Sequence, residues 1–382
     1  MSATHDAAGP QCGVRLSDGD SAGLCPACPP SDMQRGQTHD PSIAPSAHTA
    51  ARRQETPFSV IAALGAMLKR VFRFPSRQGR QPTDAHAEMR HGDALAARGK
   101  LNEAIAAYRE AIRLQPELAF VHYNLGTILC AQGKLDEAVA EFREAIRIKP
   151  DFAAAYGNLG SALQSQGKLD EAIAAGREAI RLEPDLAIVH HNLGTALKLQ
   201  EKSEEAVDEF RTAVRLDPND VDSHSNLGNT LELQGRHEEA VVELRTTIRL
   251  DPDRADAHYT LGTILVGQGK LEEGIAELRA AIRKKPDFAA AHCNLGNALQ
   301  AQGKIQEAIA AHREAIRLRP DLAVVHYNLG NALKAQGRLE EAVDEFRKAG
   351  ENAQAGSELA QLIERALTVT DREACASSPP PG

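Results

Sequence analysis

His122-Tyr123-Asn124-Leu125-Gly126-Thr127-Ile128-Leu129, followed by Ala138, Phe142, Ala145 and Pro150, is the stretch on which the fold turns, because its pattern returns every 34 residues. Its glycine recurs as Gly92, Gly126, Gly160, Gly194, Gly228, Gly262, Gly296 and Gly330 with no break in the spacing. A fixed period of that length marks a stacked-repeat protein. Such an array has no central cleft, so its activity has to come from the long surface that the repeats present together.

With each unit begun at Ala85 or its equivalents, the pattern acquires physical content. The seventh residue is leucine from Leu125 to Leu329, His91 being the exception, and the eleventh is leucine from Leu95 to Leu333. Leu125, Gly126 and Leu129 share one face of a first helix, since residues three and four apart lie together. Val139, Phe142, Ala145 and Ile146 do the same for a second helix beyond the Gly133 turn. Gly126 and Ala138 are small enough to let the two axes approach. Pro150 cannot continue a helix and disfavours helical backbone at Lys149, so it separates one unit from the next. Each unit is thus a helical hairpin that cannot bury its apolar face alone, and stacking buries it.

The pattern from His122 to Pro150 resembles the tetratricopeptide repeat, and the resemblance covers eight tandem units from residue 85 to about residue 356. It implies an all-α, right-handed superhelical solenoid whose first helices line a concave groove, closed by a C-terminal capping helix. The expected organisation is a disordered leader (1–54), an apolar and basic linker (55–81), the eight units (82–356), the capping helix (357–372) and a disordered tail (373–382). Three departures stand out. His91 replaces the leucine before Gly92, Glu201 replaces the turn glycine of unit four, and Gly176 stands where Phe142 and Phe210 stand elsewhere. An unfilled aromatic position costs about 3–5 kcal/mol, so unit three is expected to be a soft point. A longer period overlies the first: unit three matches unit seven at 26 of 34 residues but unit four at 15. That is the mark of a duplicated four-unit block, or of a groove with two equivalent halves.

Composition suits such an array. The chain is 42% apolar, has no tryptophan, and carries a net charge of −9, which does not favour nucleic acid as a partner. The leader shows no basic segment followed by an apolar one, and no structured cysteine pairs are expected, so a cytoplasmic location follows. Cys12, Cys25 and Cys28 form a C-x12-C-x2-C run resembling a zinc ribbon with one ligand missing, for which His5 is a substitute. Both a weak metal site and a decayed leader fit it. Residues 58–74 run FSVIAALGAML and then turn basic. That is too short to span a bilayer; it suits an amphipathic helix on a membrane surface or a cover for the end of unit one.

The search for chemistry finds little. His122, His190, His224, His258, His292 and His326 recur at the fourth position. Equivalent residues of adjacent hairpins lie about 10 Å apart, whereas ligands sit about 2 Å from a zinc ion, so the histidines read as packing residues. No phosphate-binding loop, dinucleotide fingerprint or nucleophile elbow is present, so neither enzyme activity nor a cofactor is expected.

The groove is the strongest functional constellation. The sixth residue is asparagine at Asn124, Asn158, Asn192, Asn226, Asn294 and Asn328, and the ninth is small and polar, including Thr127, Ser161, Thr195, Asn229, Asn297 and Asn331. By the resemblance, both face the concave side, with Tyr123, Tyr259 and Tyr327 beside them. An asparagine amide both donates and accepts, so a row of them suits the main chain of an extended peptide. The row resembles the asparagine ladder in the repeat arm of O-linked N-acetylglucosamine transferases. The expected function is a non-catalytic scaffold that binds an extended protein segment. The alternatives are a substrate-recognition partner of a separate glycosyltransferase or kinase, and a membrane-surface assembly factor.

Overall fold

The computed structural model describes residues 84–354 and 356–377. The leader with Cys12, Cys25 and Cys28, the stretch 58–74 and the end of the tail lie outside these residues. What is described is all helical. The paired helices are α1 (Ala85–Ala97) with α2 (Leu101–Leu114), α3 (Ala119–Ala131) with α4 (Leu135–Ile148), α5 (Ala153–Ser165) with α6 (Leu169–Leu182), and α7 (Ala187–Leu199) with α8 (Ser203–Leu216). After them come α9 (Val221–Leu233) with α10 (His237–Leu250), α11 (Ala255–Gly267) with α12 (Leu271–Lys284), α13 (Ala289–Ala301) with α14 (Ile305–Leu318), and α15 (Ala323–Ala335) with α16 (Leu339–Asn352). A closing helix, α17 (Glu358–Ser377), packs on α16. The contacts group into two compact bodies, one ending at Asn226 and the other beginning at Leu227.

Within each body the same logic repeats. A first helix packs on the second helix of its own hairpin, that second helix packs on the first helix of the next, and successive first helices touch, as α3 does α5 and α11 does α13. The hairpin turn is made by local chemistry. After α3, Gly133 adopts φ 74°. Its N–H donates to Cys130 O and the Lys134 N–H to Leu129 O, both at 2.9 Å. This pair of bonds satisfies carbonyls that the helix end would leave orphaned, and it needs a left-handed residue, hence glycine. Glu201 takes the same conformation at φ 62° without being glycine. Between hairpins, Lys149 ahead of Pro150 leaves the helical region, at φ −131° and ψ 89°, as the residue before a proline is pushed to do.

The recurrent glycine has a more specific job than letting two axes approach. A Cβ on Gly126 would sit 2.8 Å from the Phe142 ring, and one on Gly330 would sit 2.6 Å from the Phe346 ring. The glycine of the first helix therefore opens the slot that the aromatic of the second helix fills. Phe142, Phe210 and Phe346 are fully buried there.

Unit three departs from this scheme, but less than its sequence suggests. It lacks the ring at Gly176 and also has Gly157 where Tyr123, Tyr259 and Tyr327 stand in other units. Helix α7 moves into the vacated space: a Cβ on Gly157 would meet Val189 Cγ2 at 3.0 Å, and one on Gly176 would meet Leu193 at 3.4 Å. The remaining void, beside Gly160, Gly176 and Asn192, is about 10 Å3, room for one water at most. Because the cost of a lost core side chain scales with the cavity left behind, closure of the gap removes most of the expected penalty.

Unit seven solves the same position with His312, which is fully buried. Both of its ring nitrogens lack a hydrogen-bond partner.

Candidate functional site

Six of the sequence-selected groove residues are linked in pairs by a hydrogen bond that repeats from hairpin to hairpin. The Asn158 Nδ2 donates to Thr127 Oγ1 at 3.3 Å, Asn192 Nδ2 to Ser161 Oγ at 2.8 Å, and Asn294 Nδ2 to Thr263 Oγ1 at 3.2 Å. In unit two the acceptor is a carboxylate, with Asn124 Nδ2 donating to Asp93 Oδ1 at 3.1 Å. In each case the sixth residue of one unit reaches the ninth residue of the unit before. The accepting hydroxyl donates in turn to its own helix, Thr127 to Tyr123 O at 2.9 Å and Ser161 to Gly157 O at 3.1 Å. Thr195 makes the same back-bond to His191 O. The row of amides therefore stitches hairpin to hairpin, and one of each amide's polar ends is committed to the fold.

The candidate residues differ in what they leave accessible. Asn124, Asn158, Asn192 and Asn226 are half-buried, as are Tyr123, Ser161 and Thr195; Thr127 is buried. Asn294 (1% exposed), Asn297 (5%) and Tyr259 (2%) are buried, against the expectation that they face a partner. The cause is local: Asn294 Nδ2 donates to the Tyr259 hydroxyl as well as to Thr263, each at 3.2 Å. Asn328 Nδ2 reaches Cys293 Sγ at 3.7 Å. Asn229, Asn331 and Tyr327 are half-buried, and Tyr327 lies against the Phe346 ring at 5.8 Å.

Two apolar side chains stand beside the accessible amides. Phe120 is 41% exposed and Ile188 is 58% exposed. Each precedes a ladder asparagine by four residues, Asn124 and Asn192 respectively, and so lies one helical turn away on the same face. The sequence signal for Ile188 is an isoleucine at a position that is alanine in unit three and aspartate in units five and six. Phe120 also joins an aromatic group, its ring 4.9 Å from Phe152, with Lys149 Nζ 5.2 Å from its centre.

Electrostatics mark one further spot. Asp93 accepts from the Tyr108 hydroxyl at 2.6 Å as well as from Asn124. Burial raises the Asp93 carboxyl above its usual value despite these donors. The Tyr108 hydroxyl is pushed well above 10 by burial and by the neighbouring carboxylate. This is a structural bond across hairpin one, closing the slot over Gly92.

The recurring histidines are occupied elsewhere, each reaching the carbonyl of the proline that closes the preceding unit, as His122 Nε2 does to Pro116 O at 3.0 Å. Among the described residues no group of three or more histidine, cysteine or acidic side chains is placed to hold a metal.

Tandem helical hairpins recurring every 34 residues define a tetratricopeptide-repeat protein. The family comparisons agree: residues 42–295 match the profile described as the cilia and flagella-associated protein 70 C-terminal domain, and residues 297–337 and 323–353 match the TPR repeat and tetratricopeptide repeat profiles. The chain belongs to this tetratricopeptide-repeat family. Among solved structures it is similar to YrrB, titled a TPR protein with an unusual peptide-binding site, at 26% identity over 48% of this chain and 95% of that one, TM-score 0.44. It is also similar to MamA, at 27% identity over 42% of this chain and 94% of that one, TM-score 0.41. A third is pilF of Pseudomonas aeruginosa, at 19% identity over 56% and 96%, TM-score 0.49. No curated protein matches the chain. No helix among the described residues is long and apolar enough to cross a membrane.

Proposed function

We propose that the protein is a non-catalytic scaffold whose first helices in units two to four hold an extended, uncharged segment of a partner protein. The observation that carries this reading is the row of half-buried Asn124, Asn158 and Asn192. Each is fixed by a bond from its Nδ2 to the preceding hairpin, so the amide oxygens are held in register for a partner's main-chain N–H groups. Fixing a side chain beforehand lowers the entropy lost on binding.

Spacing narrows the ligand. Adjacent hairpins lie about 10 Å apart, and a polyproline-II or extended segment covers that in about three residues at roughly 3.1–3.3 Å each. Phe120 and Ile188 are two hairpins apart, which suits apolar partner side chains about six residues apart. The likeness of the amide row to that of the glycosyltransferase arm bears on the way a peptide is held and assigns no enzyme as partner.

The test is a peptide array in which uncharged sequences carry two apolar residues at separations of two to ten. The wild type should prefer a separation near six, and Asn124→Ala combined with Asn192→Ala should abolish the preference. Because those changes also remove bonds between hairpins, Ser161→Ala serves as a control: it breaks the Asn192 bond while leaving the amide, and should weaken capture less than the double variant does. An unchanged array pattern in the double variant refutes the reading.

A further inference from the structure

Four histidines are each held between two hydrogen-bond acceptors. His122 Nδ1 lies 2.6 Å from Glu141 Oε2 while its Nε2 lies 3.0 Å from Pro116 O. His190 repeats this with Glu209 at 2.6 Å and Pro184 O at 2.9 Å. His258 does so with Glu277 at 2.6 Å and Pro252 O at 3.3 Å, and His326 with Glu345 at 2.6 Å and Pro320 O at 3.0 Å. All four are at least nine-tenths buried. A neutral imidazole has one N–H, and its other nitrogen is an acceptor. Neither a carboxylate nor a carbonyl can donate to that nitrogen, so only the doubly protonated ring satisfies both neighbours.

The two acceptors belong to different parts of the stack. The glutamate is on the second helix of the same hairpin, whereas the carbonyl belongs to the proline that closes the hairpin before. The ring is therefore a joint between consecutive units. Unit seven supplies an internal contrast: His292 Nε2 reaches Pro286 O at 3.1 Å, but Ala311 stands where the glutamate would be. Its ring lacks the glutamate that the other four hold at 2.6 Å.

We propose that His122, His190, His258 and His326 are proton-operated joints, which pin each hairpin to its predecessor when charged and loosen together when the protons leave. Other charges face these rings as well: Glu144 on α4 faces His122, Arg215 faces His190, Lys284 faces His258, and Lys348, itself bound to Glu345, faces His326. Burial works against the charge at His122, yet Glu141 and the Pro116 carbonyl outweigh it and raise its pKa. At His190, His258 and His326 the bond to the glutamate is the main cause of the rise. A raised folded value fixes the direction. The stabilisation is complete below about 6.5, the unfolded value, and is lost as pH climbs through the folded value. Four sites shifted in the same direction add their losses. The proposal is independent of which segment the groove holds.

The experiment is a pH titration of the full chain from 5.5 to 9, following each imidazole by nitrogen-detected NMR. His122, His190, His258 and His326 should carry protons on both nitrogens at pH 6 and titrate above 6.5. Any of the four found singly protonated at pH 6 removes that joint, and all four so found overturn the proposal. A second measurement uses Glu141→Gln, Glu209→Gln, Glu277→Gln and Glu345→Gln together, each amide able to bond a neutral ring. The fall in melting temperature between pH 6 and 8.5 should be present in the wild type and lost in the variant. Equal slopes in the two proteins would overturn it. Should the variant not fold, the titration of the wild type decides alone.

Discussion

His312→Phe offers the sharpest test of how unit seven is held. His312 is fully buried, with no partner for either ring nitrogen, in the slot above Gly296 that Phe142, Phe210 and Phe346 fill in their own units. Burial alone pushes the imidazole down to about 4 from the ordinary 6.5. Between these values the unfolded chain binds a proton that the folded chain refuses, so stability falls as pH drops from about 6.5 towards 4. At 1.36 kcal/mol per pH unit the full loss is about 3 kcal/mol, and at pH 5 about 2 kcal/mol is already gone. Phenylalanine cannot titrate. Any cost of fitting its larger ring is the same at both pH values, and the four histidine joints are common to both proteins, so a double difference cancels them. Urea unfolding at pH 7.5 and pH 5 should show the gap between variant and wild type shift by about 2 kcal/mol in favour of the variant at pH 5. Because a repeat array can unfold in parts, amide exchange within α14 should show the same shift locally. A gap independent of pH would mean that His312 finds a partner or solvent in solution, and the reasoning would fail.

Two backbone predictions follow from the same geometry. Glu201→Gly should stabilise by about 1 kcal/mol, since a side chain at φ 62° bears the left-handed penalty that the other turns avoid with glycine; the denaturation midpoint reads it, and no change would mean the turn is not strained. Gly176→Ala should stabilise by up to about 1 kcal/mol through helix propensity, its Cβ meeting Leu193 at an ordinary 3.4 Å, whereas Gly126→Ala should destabilise because its Cβ would fall 2.8 Å from the Phe142 ring. Like midpoints for the two variants would refute the slot-and-ring account.

Period and residue size made the hairpins legible, because a helix face is written in residues three and four apart. What the sequence hid is how hairpins join. The Asn192–Ser161 bond links residues 31 apart; in the sequence both positions read as polar groups for a partner, and only the stacked helices show that they satisfy each other. The histidine joints left a fainter trace. Glu141, Glu209, Glu277 and Glu345 each follow their histidine by 19 residues, and where the glutamate is missing, at Ala311, the joint is incomplete. That correlation gains meaning only once the two helices of a hairpin are known to present those positions to one another. Unit three misled for a different reason. Counting missing rings gave a cavity cost, but a helix that slides inward leaves about 10 Å3 and little to lose.

The near-identity of units three and seven also invites a groove with two equal halves, and side-chain burial argues against it. Their eight differences include, on the first helix, Gly157 becoming Cys293 and Ser161 becoming Asn297. Asn158 and Tyr123 stay partly open, whereas Asn294 and Tyr259, their equivalents four units on, are sealed against each other. An amide that reaches solvent keeps something to offer a ligand; an amide excluded from water does not. The duplicated block has therefore kept its scaffold chemistry in both copies, while Asn294 and Tyr259 of the second copy are closed to solvent where Asn158 and Tyr123 of the first are not.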